Sequence, residues 1–206
     1  MAYSDFTLPK LTADFGVTFT GAKLFTAPPE VPPSAWLLES LALAEEMGYS
    51  SEKSRSERLV NPVLAELTRR NPATFAVLSG AYLDIEPQRG LNGECDFILT
   101  FNLIQDVVSS PIFCIAEAKK QDIEQGSAQC AAQLLGAAAL NERENNSSPI
   151  LYGCATTGLD WRFIRLEGKR FEFDTRLYSI YKPAELLGVL QWVLDRAKKL
   201  HLPAPR

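Results

Sequence analysis

Histidine is nearly missing from this chain: His201 is the only one in 206 residues, and it lies near the C-terminus. Ser-His-Asp and Cys-His hydrolytic chemistries are therefore poor candidates, because both need an imidazole base. The four cysteines, Cys95, Cys114, Cys130 and Cys154, form no CxxC pair. A structural zinc site needs clustered soft ligands, so none is expected, and the thiols read as free and mostly buried. There is no excess of positive charge either: 21 Lys and Arg face 25 Asp and Glu, a net charge of −4. That balance counts against broad attraction to nucleic-acid backbones while allowing a local basic cleft. Long apolar runs of membrane-spanning length are lacking, and Met1-Ala2-Tyr3-Ser4-Asp5 has no basic-then-apolar leader pattern. The expectation is a cytoplasmic protein with no membrane partner.

What is present suits a folded α/β protein. Hydrophobic residues make up 46% and charged residues 22%, enough apolar content for a real core. Residues 1–33, with a hairpin expected in Val17–Phe25 and prolines at 28, 29, 32 and 33, read as an N-terminal arm packed on the body. Residues 34–206 read as one domain. Ser34 caps a helix from Ala35 to about Met47, with Trp36, Leu37, Leu41 and Ala44 on one face. The polar stretch Ser50–Ser56 leads into a second helix ending near Arg70, with Pro62 in its first turns.

The period then changes from helical to alternating. Phe75–Ser79, Tyr82–Glu86, Cys95–Phe101 and Ile112–Ala118 read as strands, followed by a helix from about Asp122 to Arg143. Ile150–Ala155, Trp161–Leu166 and Phe171–Phe173 are further strands, and a helix from about Pro183 to Leu200 closes the chain. The long helix between Ile112–Ala118 and Ile150–Ala155 allows a crossover and a parallel pairing there. The class expected is α/β: a central mixed sheet flanked by helices.

Two segments carry the chemistry. In Gly93-Glu94-Cys95-Asp96-Phe97, Asp96 shares a strand face with Glu94 and Ile98; alone it reads as an edge or turn residue. Glu117 is harder to dismiss, because it follows the almost unbroken apolar run Pro111–Ala116 of a strand covered on both faces. A carboxylate there must be paired, metal-bound or at an exposed strand end. Lys119, two residues on, projects from the same face as Glu117. Two carboxylates beside an amine suit a hard divalent cation such as Mg²⁺ or Mn²⁺ next to a phosphate, with Asp96 and Glu117 as metal ligands, the Ala118 carbonyl as a further oxygen, and Lys119 assisting the attacking water. Asp84 and Glu86 are reserve ligands that read better as hairpin-end charges.

The following helix supports a shared pocket. From Gln125 through Asn141 it carries no charge, and Gln125, Gln129 and Gln133 recur every four residues as one polar stripe. Buried amides need partners, which a cleft holding a phosphate or a bound water would supply. Glu57 on the second helix can lean toward the same cleft, although by itself it suits the helix dipole. Arg55, Arg58, Arg69 and Arg70, with Arg162, Arg165, Lys169 and Arg170, could line a nucleic-acid groove; singly they read as solvated faces.

Asp96, then Glu117-Ala118-Lys119, then an alanine-rich helix with Gln129 and Gln133, resembles the PD-(D/E)XK nuclease superfamily. The resemblance spans about residues 50–180 and includes Ser56-Glu57 before Pro62, Gly93…Phe97, Glu117…Lys120 and Ala155–Trp161. The motif's proline is absent, since Cys95 precedes Asp96. The resemblance implies a restriction-endonuclease-like fold, Asp96 and Glu117 as Mg²⁺ ligands and Lys119 as the catalytic lysine. Glu57, Gln129 and Gln133 are implied as further site residues. It implies a metal-dependent phosphodiesterase acting on nucleic acid, DNA before RNA, with a homodimer left open. The alternatives are a non-catalytic binding module on the same fold and a purely structural ion-pair network.

Overall fold

The computed structural model describes residues 1–201. An eight-stranded mixed sheet forms its centre, with seven strands in the spatial order β1-β7-β6-β5-β4-β3-β2. These are β1 (Thr18–Ala22), β2 (Ala76–Tyr82), β3 (Glu94–Thr100), β4 (Ile112–Ala118), β5 (Ile150–Thr156), β6 (Asp160–Glu167) and β7 (Arg170–Asp174). The short β8 (Tyr178–Ser179) pairs with β6. Six helices cover the sheet: α1 (Leu8–Phe15), α2 (Ala35–Met47), α3 (Glu52–Arg55), α4 (Asn61–Arg70), α5 (Ile123–Arg143) and α6 (Pro183–His201). The expected α/β class with a mixed sheet between helices is observed, including the parallel β4–β5 pairing across the α5 crossover. Among the described residues no helix is long and apolar enough to cross a membrane.

Burial explains why β4 and β5 sit at the centre. All seven residues of each are buried, as a strand covered on both faces requires. One core, with Leu37, Leu64, Trp161 and Leu190, fills the space between the sheet and α2, α4 and α6. The other, with Tyr3, Leu11, Ile115 and Leu134, lies under α5 and the N-terminal residues. Asn141 fastens one end of α5 to the start of β4: its side chain accepts from the Ile112 N–H at 2.8 Å and donates to the Ile112 carbonyl at 2.7 Å. All four cysteines are free and buried in these cores.

Several local expectations need correction. In place of a hairpin in Val17–Phe25, a single strand β1 pairs in parallel with β7. The expected strand Phe75–Ser79 runs on through Gly80 to Tyr82 as β2; of the expected strand Tyr82–Glu86 only Tyr82 belongs to it, and Glu86 retains an isolated bridge to Leu91. Asp84 accepts from the Gly93 N–H at 2.8 Å and Glu86 pairs with Arg89 at 2.7 Å, so both acids close the connecting loop. Trp36 is not a core residue: it is exposed, with Arg69 over its ring.

The second helix begins earlier than the polar Ser50–Ser56 stretch suggested. The Ser51 hydroxyl accepts from the Ser54 N–H at 3.0 Å and starts α3. The turn Ser56–Val60 is a π-helix, with the Asn61 N–H donating to the Ser56 carbonyl. A proline lacks an N–H and crowds the carbonyl four residues before it. One widened turn just before Pro62 accommodates that conflict and lets α3 run on into α4.

Candidate functional site

The β3–β4 register brings the two acids together. Phe97 lies opposite Ala116 and Ile98 opposite Ile115. One step further sets Asp96 opposite Glu117, where directly opposed Cβ atoms lie about 5 Å apart. The Asp96 carboxylate accepts from the Ala118 N–H at 2.7 Å through Oδ2. Lys119 continues the extended backbone, its N–H donating to the Thr156 carbonyl at 2.7 Å. The Lys119 ammonium lies 2.9 Å from Glu117 Oε1, and Gln133 Nε2 on α5 donates to Glu117 Oε2 at 2.7 Å. Glu117, with a side chain only 2% exposed, is therefore gripped at both oxygens.

Burial sets the electrostatics. It pushes the Glu117 carboxyl up to about 7, the Asp96 charge adds to that, and Lys119 and Gln133 oppose it. Asp96 is also raised, first by burial, against the pull of the Ala118 N–H and Lys119. Burial works against the Lys119 charge, but Glu117, Glu52 and Asp96 outweigh it and raise its pKa. In the free protein Lys119 is thus an ammonium, a donor and a charge rather than a base.

Asp96, Glu117 and Lys119 line a cleft of about 380 Å³, together with Glu52, Glu94 and Gln129, and Gln133 stays buried behind Glu117. Ala2, Tyr3 and Ser4 form another wall. Tyr3 anchors that wall: its buried hydroxyl donates to the Leu83 carbonyl at 2.8 Å. Gly136 of α5 makes the room, since a Cβ there would lie 2.2 Å from the tyrosine oxygen. A second lobe of about 500 Å³ continues past Asp96 along Gly80, Ser56 and Glu57.

The sequence-derived residues divide into two groups. Asp96, Glu117, Lys119 and Gln133 converge directly. Gln129 is buried at the cleft wall, and its Oε1 has no hydrogen-bond partner; Gln133 Oε1 is orphaned in the same way. Gln125, the first glutamine of the stripe, is exposed at the start of α5. Glu57 does not join Lys119: it is exposed in the second lobe and lies 3.8 Å from Lys53. Glu52 takes the place expected for Glu57, with Oε1 3.5 Å from the Lys119 ammonium. Sequence reasoning missed it because Ser50–Ser56 reads as a polar loop; the available signal was Ser51 as an N-cap with an acid in the first turn.

Most of the basic residues considered for a groove are engaged elsewhere. Arg55 donates to the Thr157 carbonyl at 2.8 Å, and Arg58 binds carbonyls at the end of α2. Arg70 pairs with the buried Glu66 at 2.8 Å, Arg165 and Arg170 with Glu172 at 2.6 Å, and Arg162 lies over the Phe173 ring. Lys119 lines the first lobe of the cleft and Lys53 the second.

Among the described residues, no three or more His, Cys, Asp or Glu side chains are arranged to hold a metal ion. A cation here would rest on the two carboxylates Asp96 and Glu117 and on further oxygens. The donor set fits a hard cation of that kind, which often keeps its waters and takes only one or two carboxylates. Burial, foremost, raises both Asp96 and Glu117, with Lys119 opposing it, and the buried Gln129 oxygen beside them has no donor. Compared with known protein families and with curated proteins, the chain matches no family model and no curated sequence.

Proposed function

We propose that this chain is a Mg²⁺-dependent nuclease of restriction-endonuclease-like fold, hydrolysing phosphodiester bonds in DNA in preference to RNA, in the manner of the PD-(D/E)XK proteins its motifs resemble. The observation that carries the reading is the convergence of Asp96, Glu117, Lys119 and Gln133 at one end of a solvent-open cleft. Asp96 and Glu117 would hold Mg²⁺ or Mn²⁺, which supplies charge for the phosphate and a more acidic water. Gln133 fixes the Glu117 carboxylate. The Lys119 ammonium orients the water and offsets negative charge gathering on the phosphate oxygens. Water oxygen bonds to phosphorus as one ester P–O bond breaks; the water's proton leaves to solvent and the departing oxygen is protonated.

A second reading, a non-catalytic binding module, is favoured by the net charge of −4 and by Glu52, Glu94, Asp96 and Glu117 outnumbering Lys119 in the cleft. Incubation with single- and double-stranded DNA and RNA, with and without Mg²⁺ or Mn²⁺, separates the two. Metal-dependent cleavage by the wild type, lost in Lys119→Ala and Asp96→Ala, is the expected result. Binding without cleavage selects the module, and cleavage unchanged in both variants removes the assigned site.

A further inference from the structure

On the opposite face of the sheet from Glu117 lies a cavity of about 720 Å³ between β5, β6, α6 and the residues before α2. We propose that it binds a small phosphorylated ligand with a planar ring, of nucleoside monophosphate size. Its floor is the cross-strand pair Tyr152 and Arg165. Its helical wall carries Trp192, Arg196 and Lys199 on one stripe of α6, and Leu24 lies on the far side.

Three features point to an anion with an apolar part. First, the lining places Arg165, Arg196 and Lys199 around one space in a protein of net charge −4. Arg196 and Lys199 have no ion-pair partner among the described residues, and Arg165 keeps a buried Nε–H with no acceptor although Glu172 at 2.6 Å and Glu167 at 3.4 Å hold its far end. The one acid in the lining, Asp195, is already engaged by Gln191 at 3.0 Å and by Lys198 at 3.8 Å. Second, the two guanidiniums bear on one buried phenol that forms the cavity floor: burial raises the Tyr152 hydroxyl, and Arg165 and Arg196 act against that. A hydroxyl flanked by two guanidiniums is a donor set suited to phosphate oxygens. Third, Trp192 is half-buried and held edge-on by Phe25 at 5.1 Å and Tyr152 at 6.0 Å, so an apolar surface with fixed orientation adjoins the cations. The volume lies within the range of small-molecule sites.

The test is calorimetric titration of the full chain with AMP, GMP, CMP, UMP, adenosine and inorganic phosphate, with EDTA present to silence the acidic cleft. At least one nucleotide is expected to bind more tightly than phosphate and adenosine. Arg196→Ala/Lys199→Ala is expected to weaken it by roughly tenfold or more, the worth of lost charge-assisted bonds. Both side chains are exposed, and an unchanged melting temperature of the free variant verifies the fold. Lys199→Gln alone gives a second, milder loss. Lys119→Ala is expected to bind like the wild type, so this inference and the nuclease reading fail separately. No binding of any nucleotide to the wild type overturns the proposal. So does phosphate binding as tightly as every nucleotide, or a loss that follows Lys119→Ala instead of Arg196→Ala/Lys199→Ala.

Discussion

Glu117→Gln is expected to stabilise the protein at alkaline pH while removing one of the two carboxylates proposed to hold a metal. Burial lifts the Glu117 carboxyl from 4.5 to about 7. Because the folded value is the higher one, its contribution is fully present below about pH 4.5 and is lost as pH rises through about 7. At ~1.4 kcal/mol per tenfold change in proton affinity, ionised Glu117 costs the native state about 3 kcal/mol by pH 8. Glutamine keeps the shape without the charge. Its amide can donate to Gln133 Oε1, now without a partner, once the Gln133 amide turns over. Lys119 keeps Glu52 and partial access to water. Urea denaturation at pH 5 and pH 8 reads the effect: the variant should gain about 2 kcal/mol on the wild type between the two. Using the difference cancels His201, whose pKa burial lowers and whose own contribution runs the opposite way. A wild type that loses no more stability than Glu117→Gln over that range would mean that Glu117 ionises without cost to the fold.

Three further outcomes are expected. Mg²⁺ at pH 8 should raise the wild-type melting temperature and leave Asp96→Asn and Glu117→Gln unmoved, because the proposed site needs both carboxylates. Gly136→Ala should cost about 2 kcal/mol in chemical denaturation, since the new Cβ would collide with the Tyr3 hydroxyl that braces the cleft wall. Glu66, 2% exposed, accepts from the Ser34 N–H at 3.1 Å, its hydroxyl at 2.7 Å and Arg70 Nε at 2.8 Å. Burial opposes its charge, but those partners hold its carboxyl below the usual range, so its stabilisation is present above about pH 4.5 and fades as pH falls further. Glu66→Gln should cost about 2 kcal/mol at pH 7, and the deficit should shrink below pH 4, measured by thermal melts.

The readable parts of the sequence were those where burial leaves a pattern. The apolar run before Glu117 marked β4 as covered on both faces, and the uncharged stretch Gln125–Asn141 marked α5 as a helix packed on the sheet. Glu117 and Lys119 shared a face by strand period alone. Their distance from Asp96 was not legible, because one residue of register decides whether Asp96 meets Glu117 or its neighbour. Glu52 was hidden by chemistry that reads equally as loop and as helix start, and Glu57 was favoured because the widened turn before Pro62 is invisible to a 3.6-residue period. Residues 1–33 read as an arm because prolines and short runs carry no period. Yet Tyr3, Phe6, Leu11 and Val17 are core residues, and β1 is an edge strand of the sheet.

In the proposed nuclease, Lys119 and its two carboxylate neighbours act as one cutting site. Initial cleavage rates on the nucleic acid cut fastest, for wild type, Lys119→Ala and Asp96→Asn with Mg²⁺, test it most directly. Each variant should lose at least about 100-fold in rate, the scale of removing one preorganised charge from a reacting centre, with folding verified by circular dichroism. Cleavage by either variant at the wild-type rate would contradict it.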